Sequence, residues 1–199
     1  MHLRAPAILI ASRPHGETAV IARLLTEESG VVAAYVAGGR GRQLRPVVIP
    51  GNLVEAEIRA RSDSQLPFAR LELARSRGPW LTEPLPAAAI AWVCALTASA
   101  LPERNAYPPL YAALLALLDA ICSAPSARGW ASALASYEVL LLRELGYGGT
   151  RPEIGGLDEA LEILARTGPL IERYLLADSR TDVLAARTLL LQRLKRMTA

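Results

Sequence analysis

The stretch GGRGRQLRP, Gly38 to Pro46, sets Arg40, Arg42 and Arg45 among three glycines with no acid between them. Three kinds of chemistry use such residues. Glycine-rich loops cradle nucleotide phosphates, arginine forks hold the phosphate chain of a nucleic acid, and charged turns are solvated. The first fails on spacing. A P-loop needs Gly-x-x-x-x-Gly-Lys-Ser/Thr between a strand and a helix, and here no lysine follows and the next segment is strand-like. The dinucleotide fingerprint Gly-x-Gly-x-x-Gly fails at Leu44, which stands where its third glycine is required. A solvated turn and a backbone grip remain open. For the grip, Arg13 on an earlier turn and Arg59 and Arg61 on a strand face extend the same positive field.

Catalytic sets are poorly represented. SRPHGE brings Ser12, His15 and Glu17 together in sequence, yet no strained elbow such as Gly-x-Ser-x-Gly presents the serine. Pro14 and Gly16 around His15 describe a turn. His15-x-Glu17 begins a zinc-deaminase signature whose Pro-Cys-x-x-Cys half is missing. His2 is terminal. Cys94 and Cys122 both lie in apolar helical patterns, read as reduced core thiols, and cannot close a four-ligand zinc site. The expectation is a protein with no metal, no cofactor and no catalytic residue.

The elements that would position these arginines change character along the chain. Residues 1–79 carry the runs AILIAS, TAVIARLL, VVAAYVA, NLVEAEIRAR and FARLELARS, punctuated by turn compositions. In LVEAEIRAR, Leu53, Glu55, Glu57, Arg59 and Arg61 share one face, and Val54, Ala56, Ile58 and Ala60 the other, the period of a half-buried strand. Five short strands predict a small barrel of the OB type, with an SH3-like barrel as the rival. From Trp80 onward the period is helical. TEPLPAAAIAWVCALTASAL, YPPLYAALLALLDAIC and SARGWASALASYEVLLLRELGYG read as helices, the third with Ser126 as N-cap and Gly146 just past its end. GGLDEALEILARTG, TGPLIERYLLA and SRTDVLAARTLLLQRLKRM complete an all-helical half. The fold class is therefore α+β, with a barrel domain at 1–79 and a helical domain at 80–199.

Charge follows the same division. Residues 1–79 hold eleven arginines against seven acids, a net of +4, and residues 80–199 eleven basic residues against twelve acids, a net of −1. The excess positive charge belongs to the barrel and points to an anionic partner. Residues 1–79 contain two aromatics, Tyr35 and Phe68. Domains that hold single strands tightly stack bases on several aromatics. Any nucleic-acid binding is thus expected to rest on charge, with duplex bound as well as single strand. The longest apolar segment, Ala87 to Leu101, has fifteen residues, short of the roughly 20 a membrane span takes. A soluble, cytoplasmic protein with no membrane partner is the expectation.

Two stretches in order resemble a known family. SRPHGETAVIARLLTEESGVVAAYVAGGRGR, through Arg13, Pro14, Glu17, Thr26, Gly30, Gly38 and Arg40, with Pro50 after the loop, is similar to the N-terminal signature of the RecO family of bacterial recombination mediators. YEVLLLRELGYG, Tyr137 to Gly148, resembles that family's aromatic-Glu-x-x-Leu-Leu and Leu-Gly-Tyr helix. The resemblance implies an OB-fold joined to a helical domain. It also implies binding and annealing of single- and double-stranded DNA. The partners it implies are the acidic, hydrophobic tail of single-strand-binding protein and RecR, with a recombinase loaded onto coated strands. The tail would seat on the helical domain, in an apolar pocket with a basic rim. The residues placed there are Tyr137 and Leu141, with Arg143 and Arg128 beside them. The cysteine cluster that many members carry after the Leu-Gly-Tyr helix, read as a zinc finger, has no counterpart here. The competing class is a non-enzymatic adaptor whose basic barrel binds an acidic protein.

Overall fold

The structure is a computed structural model and describes residues 2–60, 62, 65–148, 153–177 and 181–197. Contacts divide it into two compact units. The first comprises residues 1–82 with 101–111, and the second residues 83–100 with 112–199. The first unit thus runs slightly past residue 79 and recovers a segment from between two helices. That segment is held by backbone pairing. Arg104 N–H donates to Val31 O at 2.8 Å, Val31 and Glu103 form a parallel bridge, and Arg23 pairs with Glu103 at 2.9 Å. Gly30 makes this approach possible: it sits at φ +65°, and a Cβ there would lie 1.9 Å from Asn105 O.

Strands β1 (His2–His15), β2 (Ala19–Thr26), β3 (Gly30–Val36), β4 (Leu53–Arg59) and β5 (Phe68–Arg75) close a barrel in the order β1-β2-β3-β5-β4, with β4 returning to β1. All pairings are antiparallel except β3 with β5, which meet in parallel at Tyr35 and Phe68. This is the OB arrangement, and the SH3-like alternative is set aside by the strand order. One long strand serves both ends of the sheet. His2 to Ile8 pair with β4 and Ala7 to His15 with β2, and a register shift between Leu9 and Ala11 gives β1 the bend it needs. The core is the inward set Leu9, Val20, Ala22, Leu24, Val32, Ala34, Val36, Val54, Ala56, Ile58 and Leu71, as alternation predicts.

The second unit holds α1 (Pro84–Ala100), most of α2 (Pro108–Ser123), α3 (Ala131–Glu144), α4 (Leu157–Tyr174) and α5 (Thr181–Lys195). No helix among the described residues is long and apolar enough to cross a membrane. Two expectations are corrected. Ser126 does not cap α3: it precedes a separate 3-10 turn, Ala127–Gly129, and its side chain makes no capping bond. The segments GGLDEALEILARTG and TGPLIERYLLA form one helix that continues through Pro169. Beside the proline, Gly168 leaves room for the Arg187 guanidinium, which a Cβ would approach within 2.7 Å, and Arg187 donates to Leu164 O. At the end of α3, Gly146 N–H donates to Arg143 O and Tyr147 N–H to Leu142 O, the Schellman closure that a glycine past the helix favours.

Candidate nucleic-acid interface

The arginine stretch is part of the β3–β4 connection, residues 37–52, and not a hairpin tip. Its exit is anchored in the barrel: Val47 and Val48 are buried, Leu44 packs against the same core, and buried Asn52 donates to Pro46 O at 2.9 Å and Val47 O at 3.0 Å. Short-range bonds stiffen the middle, with Gly41 N–H to Gly38 O at 2.8 Å and Arg45 N–H to Gly41 O at 2.9 Å. Gly39 lies so close to β2 that a Cβ would meet Val20 Cγ2 at 2.6 Å. A fixed backbone therefore presents three exposed arginines. They are not equivalent. Arg40 ties the loop to the β1–β2 turn, its N–H donating to Thr18 O at 2.8 Å and its Nη1 to Gly16 O at 3.2 Å and Glu17 O at 3.0 Å. The side chains of Arg42 and Arg45 make no hydrogen bond or ion pair with any described residue. Their donors are available to an anion.

Strand register assembles a second group. Arg13 on β1 pairs with Ile21 on β2, Ile21 with Tyr35 on β3, Tyr35 with Phe68 on β5, and Phe68 with Arg59 on β4. Directly paired residues share a face. The neighbours Val20, Ala34, Ala69 and Ile58 are all core, so this row lies on the outer face of the barrel, where Ile21 is covered and Arg13, Phe68 and Arg59 are exposed. Tyr35 and Phe68 rings meet edge to face at 5.1 Å, and His15 stands edge-on to Tyr35 at 5.8 Å. Arg13 is exposed, and its side chain has no bonded partner among the described residues. Arg59 is exposed but paired with Glu57, and its guanidinium holds the Glu57 carboxyl below the usual carboxylate range. Arg61 lies outside the described residues. The arginine loop and the aromatic row adjoin at the β1–β2 turn, because the carbonyls that Arg40 grips follow His15 directly. The Ser12 hydroxyl donates to Val48 O at 3.2 Å, tying β1 to the exit of the arginine loop.

Residues 1–77 match the family model for the N-terminal domain of recombination protein O, and residues 83–149 match that for its C-terminal domain. The chain belongs to the RecO family. A DNA repair protein RecO of Rhodospirillum centenum is 34% identical over 237 aligned residues, covering 96% of this chain and 93% of the relative. That of Rhodospirillum rubrum is 41% identical over 144 residues, covering 71% of this chain and 57% of the relative. RecO membership places the chain in DNA repair and recombination. The 237 aligned positions exceed the 199 residues of the chain, so the Rhodospirillum centenum relative carries residues that this chain lacks.

In the helical unit the expected partner residues separate. Tyr137 and Leu141 are fully buried and cannot line a surface pocket. The face of α3 that carries Leu134, Tyr137, Glu138 and Leu141 is the core face. The Tyr137 hydroxyl meets Thr97 Oγ1 at 2.6 Å, and burial pushes its phenol pKa up. Arg143 is exposed and borders a small recess of about 100 Å³ with Ser136, Val139 and Leu140. Arg128 lies before the other end of α3 and donates to Met197 O at 3.4 Å. Fifteen positions along a mostly helical path put it roughly 20 Å from Arg143. The apolar wall beside Arg143 is Val139 and Leu140. Spacings of three and four predict a stripe of Tyr137, Leu140, Leu141 and Leu145 on α3; of these Leu140 borders the recess, while Tyr137 and Leu141 are buried.

The sequence reading also missed Glu138, Thr167 and Arg187. Buried Glu138 accepts from Trp92 Nε1 at 2.8 Å and from Arg187 Nε at 3.2 Å and Nη2 at 2.8 Å, with Thr167 donating to its second oxygen. The Arg187 guanidinium also lies over the Trp92 ring, at 5.6 Å. This network joins α1, α3, α4 and α5. The one signal in the sequence was an acid inside an apolar run, at Glu138.

Proposed function

We propose that this RecO-family chain is a non-catalytic recombination mediator. Its barrel binds single- and double-stranded DNA and anneals complementary strands, and it assists recombinase loading on strands coated with single-strand-binding protein. The observation that carries this reading is the rigid β3–β4 loop with Arg42 and Arg45 exposed and unbonded, on the unit that holds the chain's positive excess. Guanidinium forks on a fixed loop suit phosphate oxygens and read no base sequence, as annealing of arbitrary complements requires. RecR and the tail of single-strand-binding protein are the proposed protein partners. The tail's apolar residue would enter the recess at Val139 and Leu140, with its carboxylate on Arg143.

The deciding experiment is annealing of complementary oligonucleotides, bare and coated with single-strand-binding protein. Acceleration in both states supports the reading. No acceleration in either state, together with binding that competitor DNA cannot displace from an acidic protein, supports the adaptor class.

A further inference from the structure

We propose that Phe68 and Tyr35, braced by His15, form a stacking site for one unpaired base, and that this site makes the barrel prefer single-stranded DNA to duplex. The inference rests on the reading of the barrel as a DNA-binding domain and adds a specificity to it. Both aromatics of residues 1–79 come together on the outward row, although they sit on different strands far apart in sequence. Phe68 is 64% exposed. At that exposure, and touched by Tyr35 in a tilted rather than stacked contact, the Phe68 ring is largely open to solvent. A base ring could cover that face and exclude water from it. His15 makes a perpendicular ring contact with Tyr35 at 5.8 Å, a second aromatic neighbour for it.

Charge identifies the occupant. Neighbouring strands lie about 4.8 Å apart, which puts Arg59 about 5 Å from Phe68 on one side and Arg13 about 15 Å away on the other. Arg40, Arg42 and Arg45 adjoin through the β1–β2 turn. An apolar ring face between guanidinium groups matches a polymer that alternates flat bases with phosphates. In a duplex the base faces are covered by their neighbours, so a duplex can use the arginines but not Phe68. Charge then sets affinity for both forms, and Phe68 sets the difference between them.

The test is fluorescence anisotropy with three labelled probes of equal length: a thymidine oligonucleotide, an abasic strand with the same phosphates, and a duplex. The wild type should bind the thymidine strand more tightly than the abasic strand. Phe68→Ala should weaken thymidine-strand binding on the order of tenfold, abolish that difference, and leave duplex and abasic binding unchanged. Phe68→Leu, which keeps apolar bulk without a ring face, should resemble Phe68→Ala, and Phe68→Trp should retain or strengthen the preference. Equal binding of thymidine and abasic strands by the wild type would overturn the proposal. So would a Phe68→Ala protein that loses duplex and single strand together or loses neither. Arg42→Glu/Arg45→Glu in the same assay separates the two layers. If it leaves all three probes bound as before, the barrel reading itself fails. If it weakens all three while Phe68→Ala shows no selective loss, only the stacking site fails.

Discussion

Glu138 places its carboxyl group at a position with no exposure to solvent, paired with Arg187. Its two oxygens meet Arg187, Trp92 and Thr167. A buried pair of this kind contributes little net stability over an apolar replacement, but breaking one half leaves the other uncompensated. Glu138→Ala should therefore lower unfolding free energy by about 3–5 kcal/mol in urea titration. Glu138→Met with Arg187→Met should recover much of that loss. If Glu138→Ala costs no more than a surface substitution, the pair is not the clamp described. The cysteines illustrate a different residue-scale expectation. Cys94 is buried on α1 and Cys122 half-buried on α2, and among the described residues no cluster of three or more His, Cys, Asp or Glu could hold a metal ion. Metal analysis of the purified protein should find no stoichiometric zinc; about one chelator-resistant zinc per chain would contradict this.

At the scale of elements, α3 has two faces with separate tasks. The inner face is core through Leu134, Tyr137, Glu138 and Leu141, and the outer edge offers Val139, Leu140 and Arg143 around a recess. Arg143→Glu should abolish binding of the tail peptide of single-strand-binding protein in calorimetry and leave naked-strand affinity within about twofold, since rim charges act locally. Unchanged peptide affinity would move the seat elsewhere. The fold should tolerate the change, because Arg143 is exposed and its side chain bonds only to neighbouring Glu144 among the described residues. The α3 stripe also marks a limit of sequence reading. A stripe at spacings of three and four reports which residues lie together, not which of two adjacent strips is buried. Tyr137 and Leu141 belonged to the buried strip. Likewise Thr167-Gly168-Pro169 has the composition of a break, yet α4 runs through it, and Arg187 packs there on Leu164 O and Thr167.

For the whole molecule, the barrel was legible because strand alternation leaves a local mark: Val54, Ala56 and Ile58 are inside while Glu55, Glu57 and Arg59 look out. The row Arg13, Ile21, Tyr35, Phe68 and Arg59 left no such mark. It exists only because β3 and β5 meet in parallel after the chain has passed through the arginine loop and β4. The arginine loop was visible as an acid-free basic stretch, but the difference between Arg40, bonded to the β1–β2 turn, and the unbonded Arg42 and Arg45 needed the fold. That difference sharpens the central test, because Arg42 and Arg45 can be changed without breaking a bond to a described residue.

The decisive measurement is the salt dependence of DNA affinity for the wild type and Arg42→Glu/Arg45→Glu, on single strand and on duplex. If the two arginines hold phosphates, the double variant should bind both forms at least about tenfold more weakly at low salt. The slope of log affinity against log salt should shrink by about 0.9 per lost contact on duplex and about 0.7 on single strand. Thermal unfolding should stay unchanged, since neither side chain is bonded to a described residue. Wild-type affinities and slopes in a folded double variant would contradict the account and make the loop a solvated turn.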